Sequence, residues 1–256
     1  MNINDAVRQF EVYLNGYDRQ DDKILLKITH TYGVMTCSKK IARRMELKKE
    51  DVELAQIIGL LHDIGRFEQI KRFDSFEPGT MDHASFGVKM LFEEGMIRQF
   101  VKEDDWDGII KTAIERHSDF QLKGIKDART LLHARIIRDA DKLDNCRVKL
   151  EDPVETFMGV SEQETGRSLI SPKVMEQFRR KESIYSPFRK TKMDYWVSYL
   201  AYFFDLNFQV SFQMIQEEDY VARLVARIPY LNPKTAEQMR EIEEVLEKYV
   251  QEEAGK

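Results

Sequence analysis

The stretch Leu60-Leu61-His62-Asp63-Ile64-Gly65-Arg66 carries the residues with the clearest chemical potential. A histidine followed directly by an aspartate offers a metal ion an imidazole nitrogen and a carboxylate oxygen from one turn of backbone. The run before it sets Leu54, Ile57, Ile58 and Leu61 at i, i+3, i+4 and i+7, the pattern of a helix with one buried face. Gly65 is expected to close that helix. Asp63 then lies inside the protein, where a carboxylate without a compensating charge is costly, and a bound cation meets that cost directly. Taken alone, the dipeptide is equally well read as a capping aspartate beside a core histidine.

The other histidines bear on that choice. His30 opens the series His30, Val34, Cys37, Ile41, which shares the apolar face of an earlier helix. His117 closes the series Trp106, Ile110, Ala113, Ile114, His117 on a later one. Farther on, Ala134, Ile137, Asp141 and Val148 share a face, so Asp141 points inward, while Asp139 is turned away by about 200°. His83 follows Asp82, an expected helix cap, and a histidine in that first turn is favoured in its neutral, metal-binding form. It reads equally as a partly exposed cap residue. His133 has no such support and reads as structural or exposed. Metal-ligand side chains on the buried faces of several helices favour a metal cluster over isolated core residues.

The order His30, then His62-Asp63, then Asp141 within Ala-Asp-Lys-Leu, resembles the HD superfamily of metal-dependent phosphohydrolases. That resemblance implies His30, His62, Asp63 and Asp141 as ligands of a divalent ion. His83 and His117 fall between the HD pair and the last aspartate, as in members that bind two ions, which implies a bridging Asp63 with His83 and His117 on the second ion. The metal would be Mn, Fe, Co, Ni, Zn or Mg, since mixed imidazole and carboxylate ligands suit many divalent ions. The implied activity is cleavage of a phosphoester or phosphoanhydride in a small phosphorylated molecule, with a nucleotide as the favoured substrate. Two alternatives stay open: a di-iron oxygenase of the HD type and a non-catalytic nucleotide or metal sensor.

Around this cluster, Arg66 stands one turn beyond the ligands and can meet a phosphate with a bidentate fork, or pair with a nearby carboxylate. Lys142 follows Asp141 and can neutralise a phosphate oxygen, or pair with Asp139 or Asp144. Asp144, one turn past Asp141, can orient a ligand histidine or a water, or face solvent. Asp63, Arg66 and Lys142 are thus the candidate catalytic residues.

The elements that position these groups read as all-α: an HD-type helical bundle over residues 1–150 with a helical extension over 151–256. A short amphipathic helix from Asn4 to Leu14 ends at Asn15-Gly16, and a long one runs from Lys23 to about Leu47. Residues 66–81 read as an irregular segment turning at Pro78-Gly79, either a substrate cover or an ordinary connection. After Leu150 the breaks at Asp152-Pro153, Gly159, Thr165-Gly166, Ser171-Pro172 and Ser186-Pro187 indicate a linker or short elements. The aromatic run Tyr195–Phe204 reads as core, with a subunit interface, and so a homo-oligomer, as the alternative. An amphipathic run then extends from Phe208 to Ile228, and Asn232-Pro233 opens a last helix with Met239, Ile242, Leu246 and Tyr249 inward.

At 256 residues the chain has ample length for a core. A net charge of −5 gives no support to general nucleic-acid or membrane-surface binding. Cys37 and Cys146 lie far apart without a Cys-x-x-Cys pair, and the N-terminus lacks a basic segment leading into an apolar one. Both features lead to the expectation of a reduced, cytoplasmic protein.

Overall fold

A computed structural model describes residues 1–77 and 79–256. It forms two compact units, Met1–Asp144 and Asn145–Lys256, and among the described residues all regular structure is helical. The chain is all-α, as its periodicities predict.

The first unit runs α1 (Ile3–Leu14), α2 (Asp22–Arg44), α3 (Lys49–Leu61), α4 (Ile64–Phe73), α5 (His83–Val88), α6 (Ile97–Phe100), α7 (Asp107–Arg116) and α8 (Ala128–Glu151), the last continuing into the second unit. At its centre is α3, in which every residue from Leu54 to Leu61 is buried. A helix apolar on all sides has no solvent face to offer, so neighbours must surround it. It packs along α2 and also meets α1 and α7. Asp21 caps α2 by accepting from the backbone N–H groups of Lys23 and Ile24, and Ala6, Phe10 and Leu14 of α1 are fully buried, as their spacing of four requires.

Two expectations about the segment after α3 are corrected. Gly65 does not close the preceding helix: α3 ends at Leu61, Asp63 stands at the N-cap of α4, and Gly65 lies in the first turn of that new helix. Residues 66–81 are not irregular throughout, because α4 continues to Phe73 with Ile64, Phe67 and Ile70 buried on one side. Tyr13 of α1 donates to the Ile64 carbonyl at 2.9 Å, and Tyr17 donates to Glu68 at 2.8 Å, which fastens α4 over α1. The role of Gly65 is close approach. A Cβ there would lie 2.3 Å from the His83 carbonyl oxygen and 2.7 Å from the Gly87 nitrogen. The turn expected at Pro78-Gly79 falls in part on Pro78, outside the described residues.

Asp82 caps α5 by accepting from Ser85 N–H at 3.1 Å. A π-helical turn over Lys89–Glu93 follows, and the left-handed Gly95 (φ +76°) ends it. Asp139 and Asp144, for which a surface position was one reading, are both buried, as is His133, whose Nε2 lies 3.0 Å from Asp51.

The second unit holds the short helices α9 (Val154–Met158), α10 (Glu162–Arg167) and α11 (Pro172–Arg179), then α12 (Lys192–Leu200), α13 (Gln209–Glu217), α14 (Tyr220–Ala226) and α15 (Pro233–Ala254). The single run expected from Phe208 to Ile228 is two helices, divided at the left-handed Asp219 (φ +51°). Trp196, Leu200 and Phe203 are core residues, in line with the core reading of the aromatic run. In α15, Met239, Ile242 and Leu246 are fully buried, while Tyr249 is half-buried and Val250 takes the inward place after Leu246. Buried Asp194 accepts from the backbone N–H and the hydroxyl of Ser171, at 2.7 and 2.6 Å, and also caps its own helix through Thr191. No helix among the described residues is long and apolar enough to cross a membrane.

Gly65→Ala tests the contact that brings α5 to α4. The added methyl meets backbone, which cannot swing aside, so the variant is expected to lose on the order of 1–3 kcal/mol of stability, read by denaturant unfolding. Unchanged stability would remove this role.

Candidate metal centre

Four helices and one helix junction deliver polar side chains to one place. His30 comes from α2, His62 and Asp63 from the junction of α3 and α4, His83 from the first turn of α5, His117 from the end of α7, and Asp141 from α8. His30 Nε2 is 3.0 Å from Asp141 Oδ1, and His62 Nε2 is 3.9 Å from the same oxygen. Asp63 faces two ways. Its Oδ2 lies 3.6 Å from His62 Nε2, while its Oδ1 lies 3.1 Å from His83 Nε2 and 3.6 Å from His117 Nε2. The Nε2 atoms of His83 and His117 are 3.2 Å apart. All six candidate ligands thus meet. Two groups within this set have ligand atoms close enough to hold an ion, His30/His62/Asp141 and His62/Asp63/His117.

The imidazoles are oriented as well as gathered. His62 Nδ1 donates to the Gly59 carbonyl at 2.8 Å, and His117 Nδ1 donates to the Ile114 carbonyl at 2.6 Å. A carbonyl only accepts, so Nδ1 carries a proton in both rings, and each Nε2 is turned toward the cluster. His62 Nε2 is fully buried and has no hydrogen-bond partner. Buried polar atoms normally find one, and an orphaned imidazole nitrogen aimed at two carboxylates is what a metal ligand requires. The mixed nitrogen and oxygen donors suit divalent first-row ions. On these grounds the residues present fit a metal.

The electrostatics agree. Burial pushes His62 down to about 4, with Asp63 and Asp141 opposing it. Burial and the Arg66 guanidinium push His83 down to about 4. Burial and Lys27 act to lower His30, but its hydrogen bonds to Asp141 and Asp144 override them and raise it. Burial alone would raise Asp63, yet the Lys27 ammonium and then the surrounding histidines hold it well below the ordinary carboxylate range. The same competition, won by His30, lowers Asp141. Both aspartates are therefore carboxylates, and His62 and His83 are neutral imidazoles.

Arg66 sits at the edge of the cluster, with one guanidinium nitrogen 3.0 Å from His83 Nε2 and another within 3.8 Å of Asp63 Oδ1. Both alternatives posed for it, phosphate fork and carboxylate partner, fit that position. Lys142 is buried, and its ammonium donates to the Arg138 carbonyl at 3.2 Å, one turn back on α8.

Two contributors were missed in the sequence. Lys27 donates to Asp63 Oδ2 at 2.7 Å and lies 5.7 Å from the centre of the Phe76 ring. The available signal was its place three residues before His30, on the same side of α2. Arg138 donates to the carbonyls of His117 (3.0 Å) and Asp119 (2.6 Å), which satisfies the end of α7 and holds His117 in place. It stands three residues before Asp141, so one face of α8 serves both sides of the cluster.

Residues 28–146 match the family model of the HD domain. This part of the chain is an HD domain. The matched span contains all six candidate ligands together with Arg66 and Lys142, and ends just beyond Asp144. HD domains bind divalent metals and characterise a superfamily of metal-dependent phosphohydrolases. No curated protein and no solved structure matches the chain.

The buried histidines predict acid sensitivity of the metal-free protein. In the unfolded chain His62 and His83 take up protons below about 6.5, but folded they resist until about 4. Over that window the unfolded state binds more protons, so stability falls as pH falls. His30, raised in the folded state, contributes fully below 6.5 and does not offset the loss. The thermal midpoint of chelator-treated protein should drop steadily from pH 6.5 to 4, and a flat profile would contradict neutral, buried imidazoles.

Proposed function

We propose that the chain is a metal-dependent phosphohydrolase that cleaves a phosphoester or phosphoanhydride bond of a small phosphorylated molecule, with a nucleotide the favoured substrate. The observation that carries this reading is the orientation of Asp63. One carboxylate oxygen faces His62 on the side of His30 and Asp141, and the other faces His83 and His117. His30, His62 and Asp141 would hold one divalent ion, and His83 and His117 a second, with Asp63 shared between them. An ion so held supplies Lewis acidity, lowering the pKa of a water and drawing charge from a phosphoryl oxygen.

The chain's own residues supply the rest. Asp63 and Asp141 remain ionised at neutral pH and fix the ligand set without giving up a proton. Arg66 offers a planar fork to phosphate oxygens, and Lys27 offers an ammonium from the opposite side of Asp63. Lys142, which follows Asp141 in the chain and donates to the Arg138 carbonyl, would add a positive charge toward a phosphate oxygen. The Phe76 ring beside Lys27 gives an apolar face next to these cations, which suits a molecule carrying both phosphate and an aromatic base. In the reaction a water oxygen bonds to phosphorus, the bond to the leaving oxygen breaks, and the proton lost by water ends on the leaving group or in solvent.

Metal content per chain, measured by elemental mass spectrometry on protein purified without added metal, tests the reading first. The wild-type protein is expected to carry two ions, a His83→Ala/His117→Ala variant one, and Asp63→Ala none, with hydrolysis of nucleotides lost together with the metal. An active, metal-free Asp63→Ala protein would overturn the mechanism. If the two ions proved to be iron and turnover consumed oxygen, the protein would be an oxygenase instead.

Arg66→Ala separates substrate binding from metal binding. It should keep its metal and fold, and lose on the order of 10²-fold or more in kcat/KM toward a nucleotide, in line with the loss of one preorganised charged donor. Unchanged kinetics would return Arg66 to a purely structural pairing.

A further inference from the structure

The reading of His30 as a ligand leaves open what fixes its ring, since His30 lacks the backbone carbonyl that His62 and His117 use. Its Nδ1 lies 2.8 Å from Asp144 Oδ2, and both residues are almost wholly buried. Its Nε2 lies 3.0 Å from Asp141 Oδ1. The ring therefore spans two aspartates three residues apart on α8, where side chains at i and i+3 stand on one face. Across from them α2 presents His30 and, three residues later, Gly33. A Cβ at Gly33 would lie 1.8 Å from Asp144 Oδ1, 2.3 Å from its Cγ and 2.7 Å from its Oδ2. A real side chain cannot occupy that space while the carboxylate is present. Glycine in the middle of a long helix is unfavourable relative to alanine, and here the missing methyl is what leaves room for the carboxylate.

We infer that Asp144 is a positioning residue that orients His30 toward the metal, and that Gly33 is required because it makes room for Asp144. A carboxylate only accepts, so the Asp144 contact places a proton on His30 Nδ1 and turns Nε2 to Asp141, the side on which an ion would be held. The pattern is paired: His-x-x-Gly on α2 meets Asp-x-x-Asp on α8, with the first aspartate at the ion and the second behind the ring. This inference rests on the proposed function for its metal, but the hydrogen bond and the steric fit can be tested without one.

The experiment is a double-mutant cycle on the full chain with Asp144→Ala, Gly33→Ala and the double variant, with Asp144→Asn as the conservative replacement. Affinity for Mn²⁺ is measured by competition with a chelating dye, and the hydrogen-bonded His30 Nδ1–H proton is observed by NMR on metal-free, ¹⁵N-histidine-labelled protein. Asp144→Ala should weaken Mn²⁺ binding about 10–100-fold and abolish the Nδ1–H signal. Asp144→Asn, whose amide oxygen can still accept, should restore most of both. Gly33→Ala should reproduce the effect of Asp144→Ala, because the methyl expels the carboxylate. In the Asp144→Ala background, Gly33→Ala should cost nothing further in affinity and raise the thermal midpoint, since the clash is gone and alanine favours the helix.

Additive losses in the cycle, or wild-type affinity in Asp144→Ala, would overturn the inference. A general folding defect would lower the thermal midpoint of all variants without rescue by asparagine, and that too would count against it. If the wild-type protein bound no Mn²⁺ or other divalent ion, the proposed function would fall. The Nδ1–H signal and its loss in Asp144→Ala and Gly33→Ala would then decide the His30–Asp144–Gly33 contact separately.

Discussion

Two carboxylates stand among four imidazoles in the first unit, with Asp63 nearly excluded from solvent, and the unit is built around the cost of keeping them there. Taking a carboxylate out of water costs several kcal/mol even after relaxation, so each oxygen must face a donor or a cation. Asp63 meets this requirement with Lys27 on one oxygen and His83 on the other, while Asp141 faces His30. The imidazoles add a second demand, because a ring that presents Nε2 to a metal must spend Nδ1 on an acceptor. The Gly59 carbonyl, the Ile114 carbonyl and the Asp144 carboxylate answer that demand for His62, His117 and His30 in turn.

The helices follow from these requirements. Both carbonyl acceptors lie three residues before the histidine they hold, so the last turns of α3 and α7 orient His62 and His117 with no further element. A helix end has spare carbonyls, which makes it a natural place for a ligand whose far nitrogen must be held. The ends of α3 and α7 do this work, and Arg138 takes up the remaining carbonyls at the end of α7. Close packing then sets the distances. Without side chains at Gly65 and Gly87, the backbones of α4 and α5 approach closely enough to bring His83 within 3.1 Å of Asp63.

Much of the cluster was legible in the chain because its candidate ligands share apolar faces. His30 lies in register with Val34 and Ile41, His117 with Ile110 and Ile114, and Asp141 with Ala134 and Ile137, so helical periodicity alone pointed them inward. The helix caps at Asp82 and Asn232 were equally readable, being local chemistry. Gly65 misled for the same reason: glycine after an apolar helix resembles a terminator, and only the packing of His83 and Gly87 against it reveals a glycine of close approach. With Gly65 read as a terminator, the residues of α4 read as loop, although Ile64, Phe67 and Ile70 are buried on one side of a helix. Lys27 and Arg138 escaped notice because long cationic side chains usually face solvent, and nothing in their neighbours along the chain told which carboxylate or carbonyl they would reach.

By itself, then, the sequence determined the helical class and the inward faces that carry His30, His117 and Asp141, because these depend on residue type and on a period of 3.6 along the chain, while the full set of six candidate ligands came from the resemblance to the HD superfamily. The tertiary structure alone decided how Asp63 divides its oxygens between two sets of histidines, which acceptor holds Nδ1 of His62, His117 and His30, and that Asp144 backs His30 rather than facing water. Those properties depend on distances between residues as far apart as His30 and Asp144, and such distances exist only once the helices have packed.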